Sequence, residues 1–151
     1  MIISGKLETG QCMIDAFLNN DKSADWVDVL KIREYGTLAY AVIHDFDHTE
    51  LTKDDFMKFK HEVESLNLEK VTITSCVGYM KEYSGKVVQM ISSLAGFFEE
   101  EMNYFNGFNF WCNSHEIQKG HARLILFLGV PRIADDEDIE KELDDYLKSQ
   151  I

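Results

Sequence analysis

The sequence predicts an α/β protein, more closely an α+β fold of two layers, in which helices pack on a sheet of about four strands. Its 151 residues, 45% of them apolar, are enough for one domain with a buried core. Apolar clusters of strand length, such as residues 124–130, follow segments whose apolar residues recur at helical spacing. Because no internal repeat or long linker divides the chain, we expect a single domain over residues 1–151.

The first part of the chain predicts a helix, a short helical turn and a strand. Residues 2–8, IISGKLE, fit either a short strand or the end of a longer helix, and residues 10–20 have helical periodicity. Residues 26–36 resume a helical turn that ends at Gly36, a residue suited to a C-cap. Residues 37–44, TLAYAVIH, are apolar at nearly every position, which predicts a central strand.

The middle of the chain predicts two long helices with a strand between them. Thr52 and Asp55 resemble a capping box that opens a helix over residues 53–67. Residues 69–78 are rich in β-branched side chains and predict a strand, and residues 84–105 predict the clearest helix. Apolar residues at helical spacing support both helices: Phe56, Phe59, Val63 and Leu66 in the first, and Val87, Ile91, Leu94, Phe98, Met102 and Phe105 in the second.

The last part of the chain predicts a hairpin and a final helix. Residues 108–116 and 121–129 alternate as two strands around the turn IQKG, which is typical of a β-hairpin. An acidic amphipathic helix follows over residues 135–149, inside the acidic C-terminal segment 134–151. The predicted order is therefore helix, strand, helix, strand, helix, strand, strand, helix.

Charge narrows the class of partner. The net charge is −12, and residues 134–151 contribute −6 of it, with eight acids against two lysines. Such a surface repels phosphate backbones, so no nucleic-acid binding is expected, and it suits a protein partner with a basic face. No apolar stretch is long enough for a membrane span, and the N-terminus lacks a signal-peptide pattern. Three widely spaced cysteines predict free thiols in a cytoplasmic protein.

One acidic stretch resembles a calcium loop and fails where the match is most specific. Asp45, Asp47 and Thr49 occupy the first three alternating ligand positions. Glu50 stands at the sixth position, where the turn needs glycine, and Phe56 at the twelfth, where a bidentate glutamate belongs. An acidic connection from a strand to a helix is the better interpretation.

No other pattern predicts a metal site, a cofactor or a catalytic group. The pairs His44 with His48, and His115 with His121, come without a third ligand at a diagnostic spacing. No sequence context marks a nucleophile, and the chain has no glycine-rich phosphate loop. We therefore expect no cofactor, no metal and no activity of the chain on its own.

The stretch ADWVDV, residues 24–29, allows two interpretations. In the plain one, Asp25 or Asp28 caps a helix whose first turn buries Trp26 and Val29, since acids are favoured at helix N-termini without any function. In the other, the two carboxylates act on a partner. Their three-residue spacing on a helical turn aims both side chains the same way.

The surrounding residues resemble a junction in FtsZ, the bacterial tubulin relative, where the central helix ends and the C-terminal domain begins. The family pattern there is Asn-x-Asp-Phe-Ala-Asp-Val, then a short helix, a glycine and a strand. Asp25, Asp28 and Val29 match this pattern, Trp26 replaces the phenylalanine, and Ser23 stands where the family has asparagine. The order of predicted elements is also similar, so the resemblance covers roughly residues 10–130 in architecture.

The resemblance implies a function that needs a partner. In that family the two acids enter the nucleotide site of the next subunit and polarise the water that attacks GTP, so Asp25 and Asp28 would act in trans, with Ser23 and Trp26 contacting the partner. Ser23 departs from the family asparagine, so the resemblance does not imply full catalytic competence. The nucleotide-binding domain is absent from this sequence, so this chain alone should neither bind nor hydrolyse GTP. Self-association is left open.

A second hypothesis rests on charge alone. An acidic inhibitor or immunity-type protein blocks a basic protein such as a nuclease or toxin. Its contact residues would be the concentrated acids Asp135, Asp136, Glu137 and Asp138.

Overall fold

A computed structural model describes five stretches of the chain: residues 1–18, 36–81, 86–104, 106–113 and 116–131, together with single positions near the C-terminus. The described helices and strands follow one another along the chain as β1 (Ile2–Ser4), α1 (Lys6–Leu18), β2 (Thr37–Phe46), α2 (Lys53–Ser65), β3 (Ile73–Met80), α3 (Lys86–Glu101), β4 (Asn106–Asn113) and β5 (Ala122–Val130).

The described strands form one mixed sheet of five strands in the order β1-β2-β5-β3-β4. Neighbouring strands are antiparallel except β3 and β4, which are parallel. The central strand, β5, is buried continuously from Leu124 to Gly129. A strand in the middle of a sheet is buried on both faces, and the unbroken apolar run of β5 suits that position. The α+β class is therefore confirmed, with one strand more than the four expected.

The predicted hairpin between β4 and β5 is wrong. Although these strands are consecutive in sequence, β5 lies between β2 and β3, and β4 pairs with β3 on the far side. Parallel neighbours need a crossover connection, which α3 supplies between β3 and β4. A short polar turn with a glycine fits a hairpin and also fits a connection that passes over one strand, so local sequence did not separate the two.

The sheet carries an apolar core on each face, because successive strand residues point to opposite sides. Helices α2 and α3 cover one face, and the buried residues there are Val42, Phe46, Phe56, Phe59, Val63, Cys76, Met80, Leu94, Phe97, Leu124, Leu126 and Leu128. Helix α1 packs on the other face, in a smaller core of Met13, Ala41, Ile43, Val77, Tyr79, Ile125 and Phe127. The structure therefore has three layers where the sequence predicted two.

The strand interpretation of residues 2–8 is confirmed for residues 2–4, and residues 6–8 already belong to α1. β1 pairs with β2, with Ile2 opposite Val42. Gly5 then turns the chain into α1 with a φ of 97°, a conformation that residues with a Cβ rarely adopt. Its amide donates to the carbonyl of Ala39 at 3.1 Å, and its own carbonyl accepts from the amide of Thr9 at 3.0 Å. The turn thus fixes the first helix to the sheet.

The predicted start of α2 is confirmed. The side chain of Thr52 accepts from the amide of Asp55, and the side chain of Asp55 accepts from the amide of Thr52, which completes a capping box. On the apolar face, Phe56, Phe59 and Val63 are buried, and Leu66 is partly buried, as the spacing predicted.

The predicted stripe of α3 is confirmed in part. Leu94 is buried and Met102 is partly buried. Phe97, which lies outside that stripe, is also buried and packs against Phe56, with ring centroids 5.7 Å apart. Phe105 and the side chains of the other stripe residues lie outside the described part.

Candidate functional site

The residues that the sequence singled out lie outside the described part of the structure. Ser23, Asp25, Trp26 and Asp28 fall within residues 19–35, and the acidic residues fall within 132–140: Asp135, Asp136, Glu137 and Asp138. Most of the predicted C-terminal helix lies outside it as well. The roles of these residues therefore stay predictions, and the described residues locate the points where the two segments join the sheet.

Both segments join the sheet at one end, which we call the junction end and define by Gly36, Thr37, Thr72, Val130 and Pro131. The chain enters β2 at Thr37 after residues 19–35, and it leaves β5 at Val130 before residues 132–140. Thr37 and Val130 are directly paired across the two strands. The two segments that hold the candidate residues therefore adjoin neighbouring positions on a paired, central part of the sheet.

The entry point of β2 is closely packed. Gly36 is buried, and a Cβ at this position would overlap both the hydroxyl of Thr72 and the backbone carbonyl of Val130. The amide of Thr72 also donates to the carbonyl of Gly129 at 2.9 Å. This close approach of three chain segments explains why a residue without a side chain stands there. The sequence had suggested Gly36 as a helix C-cap, and its packing role was not predicted.

A polar cluster lies at the opposite end of β2, where the chain turns into α2. His48 Nδ1 is 2.9 Å from Asp47 Oδ1, and His48 Nε2 is 2.9 Å from Asp55 Oδ2. The same Asp55 oxygen accepts from the amide of Thr52 at 2.8 Å and from its hydroxyl at 3.1 Å. Because ionised carboxylates only accept hydrogen bonds, contacts at both ring nitrogens favour the doubly protonated imidazolium. The cluster therefore fixes a positive charge between two negative ones.

These contacts shift the pKa values of all three groups. The pKa of His48 is raised above 6.5, first by the hydrogen bond to Asp47 and then by the one to Asp55. The pKa of Asp47 is lowered by its hydrogen bond with His48. Burial alone would raise the pKa of Asp55, but the hydrogen bonds from His48 and Thr52 outweigh it, and the pKa is lowered. The contacts thus favour the charged form of each of the three groups.

A second imidazole and carboxylate meet between β2 and α2. His44 Nε2 lies 3.0 Å from Glu62 Oε1, and the His44 ring packs edge-on against Phe59, with centroids 4.7 Å apart. The contact does not meet the angular requirement of a hydrogen bond, and within the described residues Glu62 Oε2 has no hydrogen-bond partner either. Burial lowers the pKa of His44, and the nearby Glu62 only partly offsets this. We therefore describe the pair as a close contact of a largely neutral histidine.

Asp45 and Arg123 tie β2 to β5 on the α1 face of the sheet. They are cross-strand neighbours, and Arg123 donates from Nε to Asp45 Oδ1 at 2.7 Å and from Nη2 to Oδ2 at 3.3 Å. The hydrogen bond from Arg123 lowers the pKa of Asp45. Both side chains are substantially exposed, so we assign this pair a structural role of modest strength.

These contacts account for the acidic stretch that resembles a calcium loop. Asp45 accepts hydrogen bonds from Arg123, Asp47 contacts His48, and Asp55 caps α2. No group of three or more histidine, cysteine, aspartate or glutamate side chains suited to a metal occurs among the residues that the structure describes. The interpretation as a strand-to-helix connection is confirmed. The link from His48 to Asp55 was missed, because no spacing rule marks a histidine that caps a helix through another residue.

Cys12 and Cys76 are free thiols, as expected, and the side chain of Cys112 lies outside the described part. Cys76 is fully buried and Cys12 is half-buried. Burial raises the pKa of both, that of Cys12 to about 11, with the charge of Asp15 contributing. Neither thiol has the lowered pKa of a nucleophile.

Within the described residues, no helix is both long enough and apolar enough to cross a membrane. Comparison of the chain with known protein families, with curated proteins and with solved structures finds no match.

Proposed function

We propose that this protein is an interaction module of FtsZ or tubulin type, which presents the loop of residues 23–29 to the nucleotide site of a GTPase subunit. Its role would lie in filament assembly or cell division. The described elements β2, α2, β3, α3, β4 and β5 follow the order of strands and helices on which the resemblance rests, and this supports the proposal. The hairpin expected at the end of that order is absent from the observed pairing.

The observation that carries the proposal is the packing at Gly36. Residues 19–35 are attached to a buried, closely packed point of the sheet, opposite Val130 and beside Thr72. A functional segment held by a rigid element is positioned more accurately than one on a long free loop. This anchoring suits a pair of carboxylates that must reach a defined point on another molecule.

The proposed chemistry uses the partner's nucleotide. A carboxylate beside the γ-phosphate orients the attacking water and accepts its proton, while the partner's own phosphate-binding groups and metal neutralise the developing charge. Asp25 and Asp28 would supply the carboxylates, and Ser23 and Trp26 would contact the partner. The chain needs no cofactor of its own for this role.

Turnover by a polymerising GTPase tests the proposal. Phosphate release and sedimentable polymer are measured for a purified FtsZ-type GTPase with and without this protein. We expect both to change on addition, and Asp28→Ala to remove the effect. Asp21→Ala is the matched control, since it removes one negative charge from the same segment outside the motif. If neither readout changes, or if the two variants behave alike, the proposal is wrong.

The second candidate is an acidic inhibitor of a basic protein. The strongly acidic residues 135–138 come a few residues after the chain leaves β5 at Val130, and their concentration of negative charge favours a charged contact with a basic partner. In this case the loop variants keep partner binding, and removing residues 134–151 abolishes it. Binding should also weaken steeply with added salt.

A further inference from the structure

A groove lies on the outer surface of α2 and α3, away from the junction end. Its volume is about 450 Å³, within the range of roughly 300–1,000 Å³ typical of ligand pockets. Phe56 and Phe97 line it and are almost fully buried, while Leu51 is partly buried beside them. The remaining lining residues are Lys53, Ser93, Gly96, Glu100 and Glu101.

One side of the groove is acidic. Two carboxylates from the last turn of α3, Glu100 and Glu101, line that side. Glu101 is engaged by Lys53 at 2.9 Å and lies 3.8 Å from Lys60, whereas Glu100 is exposed. A depression lined by aromatic residues beside an exposed carboxylate is suited to an apolar side chain that has a cationic residue next to it.

We propose that this groove binds a basic, apolar segment of a partner protein, with a large apolar side chain of the segment over Phe56 and Phe97 and an arginine or lysine facing Glu100. Charge decides against two other occupants. A second copy of the chain carries a net charge of −12, and residues 134–151 of this chain carry −6. Both would bring carboxylates against the carboxylates of α3.

Gly96 lies in the groove and makes the proposal testable. It sits within α3, where glycine is a poor helix former, yet a Cβ at this position would meet no atom within 4 Å. The space above it is open. A large side chain at position 96 would therefore occupy the groove without disturbing the core, and alanine would leave most of the groove free.

The test uses the full-length protein labelled with ¹⁵N and a decapeptide in which pairs of arginines alternate with pairs of leucines. The control peptide has glutamate in place of each arginine. We expect the arginine peptide to shift the amide resonances of residues 51–56 and 93–101, and the glutamate peptide to shift none. Gly96→Trp should weaken binding of the arginine peptide by about tenfold or more, as expected for blocking the centre of an interface.

Two charge variants distinguish binding at the groove from attraction of the peptide to the overall negative charge of the protein. Glu100→Lys should weaken binding several-fold, whereas Glu69→Lys, at an exposed position on the connection after α2, should change it little. Equal losses in both variants, or shifts that avoid α2 and α3, would overturn the proposal. It would also be overturned if residues 30–33 of this chain, Leu-Lys-Ile-Arg, already fill the groove. In that case reversing the charges of Lys31 and Arg33 moves the α3 resonances without any peptide.

The groove proposal does not depend on the loop of residues 23–29. Asp28→Ala should leave peptide binding unchanged, so failure of either proposal leaves the other to be decided by its own experiment.

Discussion

His48 Nε2 lies 2.9 Å from Asp55 Oδ2, so a histidine on the connection after β2 bonds the same carboxylate that caps α2. The protonation state of His48 therefore affects the carboxylate that caps the first turn of α2. The apolar face of the same helix packs into the larger core. His48 also connects to Asp47 on the strand side, through the second ring nitrogen.

The contribution of His48 to stability should depend on pH. Its folded-state pKa is raised above the ordinary value of 6.5, so protonated His48 stabilises the fold fully below pH 6.5, and this contribution is lost as the pH rises through the folded-state pKa. Because the side chain is partly exposed, we expect an effect below about 1 kcal/mol.

Denaturant unfolding of the protein and of His48→Gln across this pH range measures the effect. The difference in free energy of unfolding should be largest at acidic pH and shrink toward alkaline pH. His44, whose pKa is lowered, acts in the opposite sense and is present in both proteins, so it cancels in the difference. A difference that grows as the pH rises would contradict the assignment.

Loss of the Thr52 hydroxyl should destabilise α2. Thr52→Ala removes the acceptor for the Asp55 amide and one donor to the Asp55 carboxylate, and a lost N-cap costs about 0.5–2 kcal/mol. Thr52→Ser keeps both bonds and is the control. Chemical denaturation measures both variants, and equal stabilities for alanine and serine would show that the capping box contributes nothing.

Alanine at two glycines should have opposite effects. Gly36→Ala places a Cβ against the carbonyl of Val130 and should destabilise the protein by about 1–3 kcal/mol. Gly96→Ala meets open space in the middle of α3 and should stabilise it by about 0.5–1 kcal/mol. Thermal unfolding of the two variants reports both signs. If Gly36→Ala left the stability unchanged, the sheet would be less closely packed at Gly36 than the structure indicates.

Cys76 should be inert in the folded protein. It is fully buried with a raised pKa, and thiol reagents attack the thiolate. Labelling of the native protein followed by peptide mass spectrometry should leave Cys76 unmodified, and addition of denaturant should make it react. Rapid native labelling at Cys76 would contradict the burial of this strand.

The sequence predicted the elements whose signals are local. The pair Thr52 and Asp55 gave the start of α2, and the spacing of Phe56, Phe59 and Val63 gave its buried face. What it did not predict depends on contacts between distant residues. The insertion of β5 between β2 and β3 is decided by which strand best tolerates burial on both faces, and a turn sequence carries no information about that.

Other features were missed for the same reason. Met13 of α1 packs on the second face of the sheet, which created a third layer that periodicity within one helix cannot indicate. His48 and Asp55 are seven positions apart and meet only because the connection folds back over the helix start. The candidate residues Asp25 and Asp28 were selected by a resemblance, and the described residues locate only where their segment enters the sheet, at Gly36.

The most direct test of the proposed function is a photo-crosslink from the loop itself. Benzoylphenylalanine is placed at Trp26 in one protein and at Glu137 in another, and each is irradiated with a GTP-bound FtsZ-type GTPase. Mass spectrometry then locates the crosslinked peptides. The proposal predicts crosslinks from position 26 to the nucleotide-binding face of the partner, lost when GTP is omitted. Crosslinks from position 137 alone, or none from position 26, would contradict it.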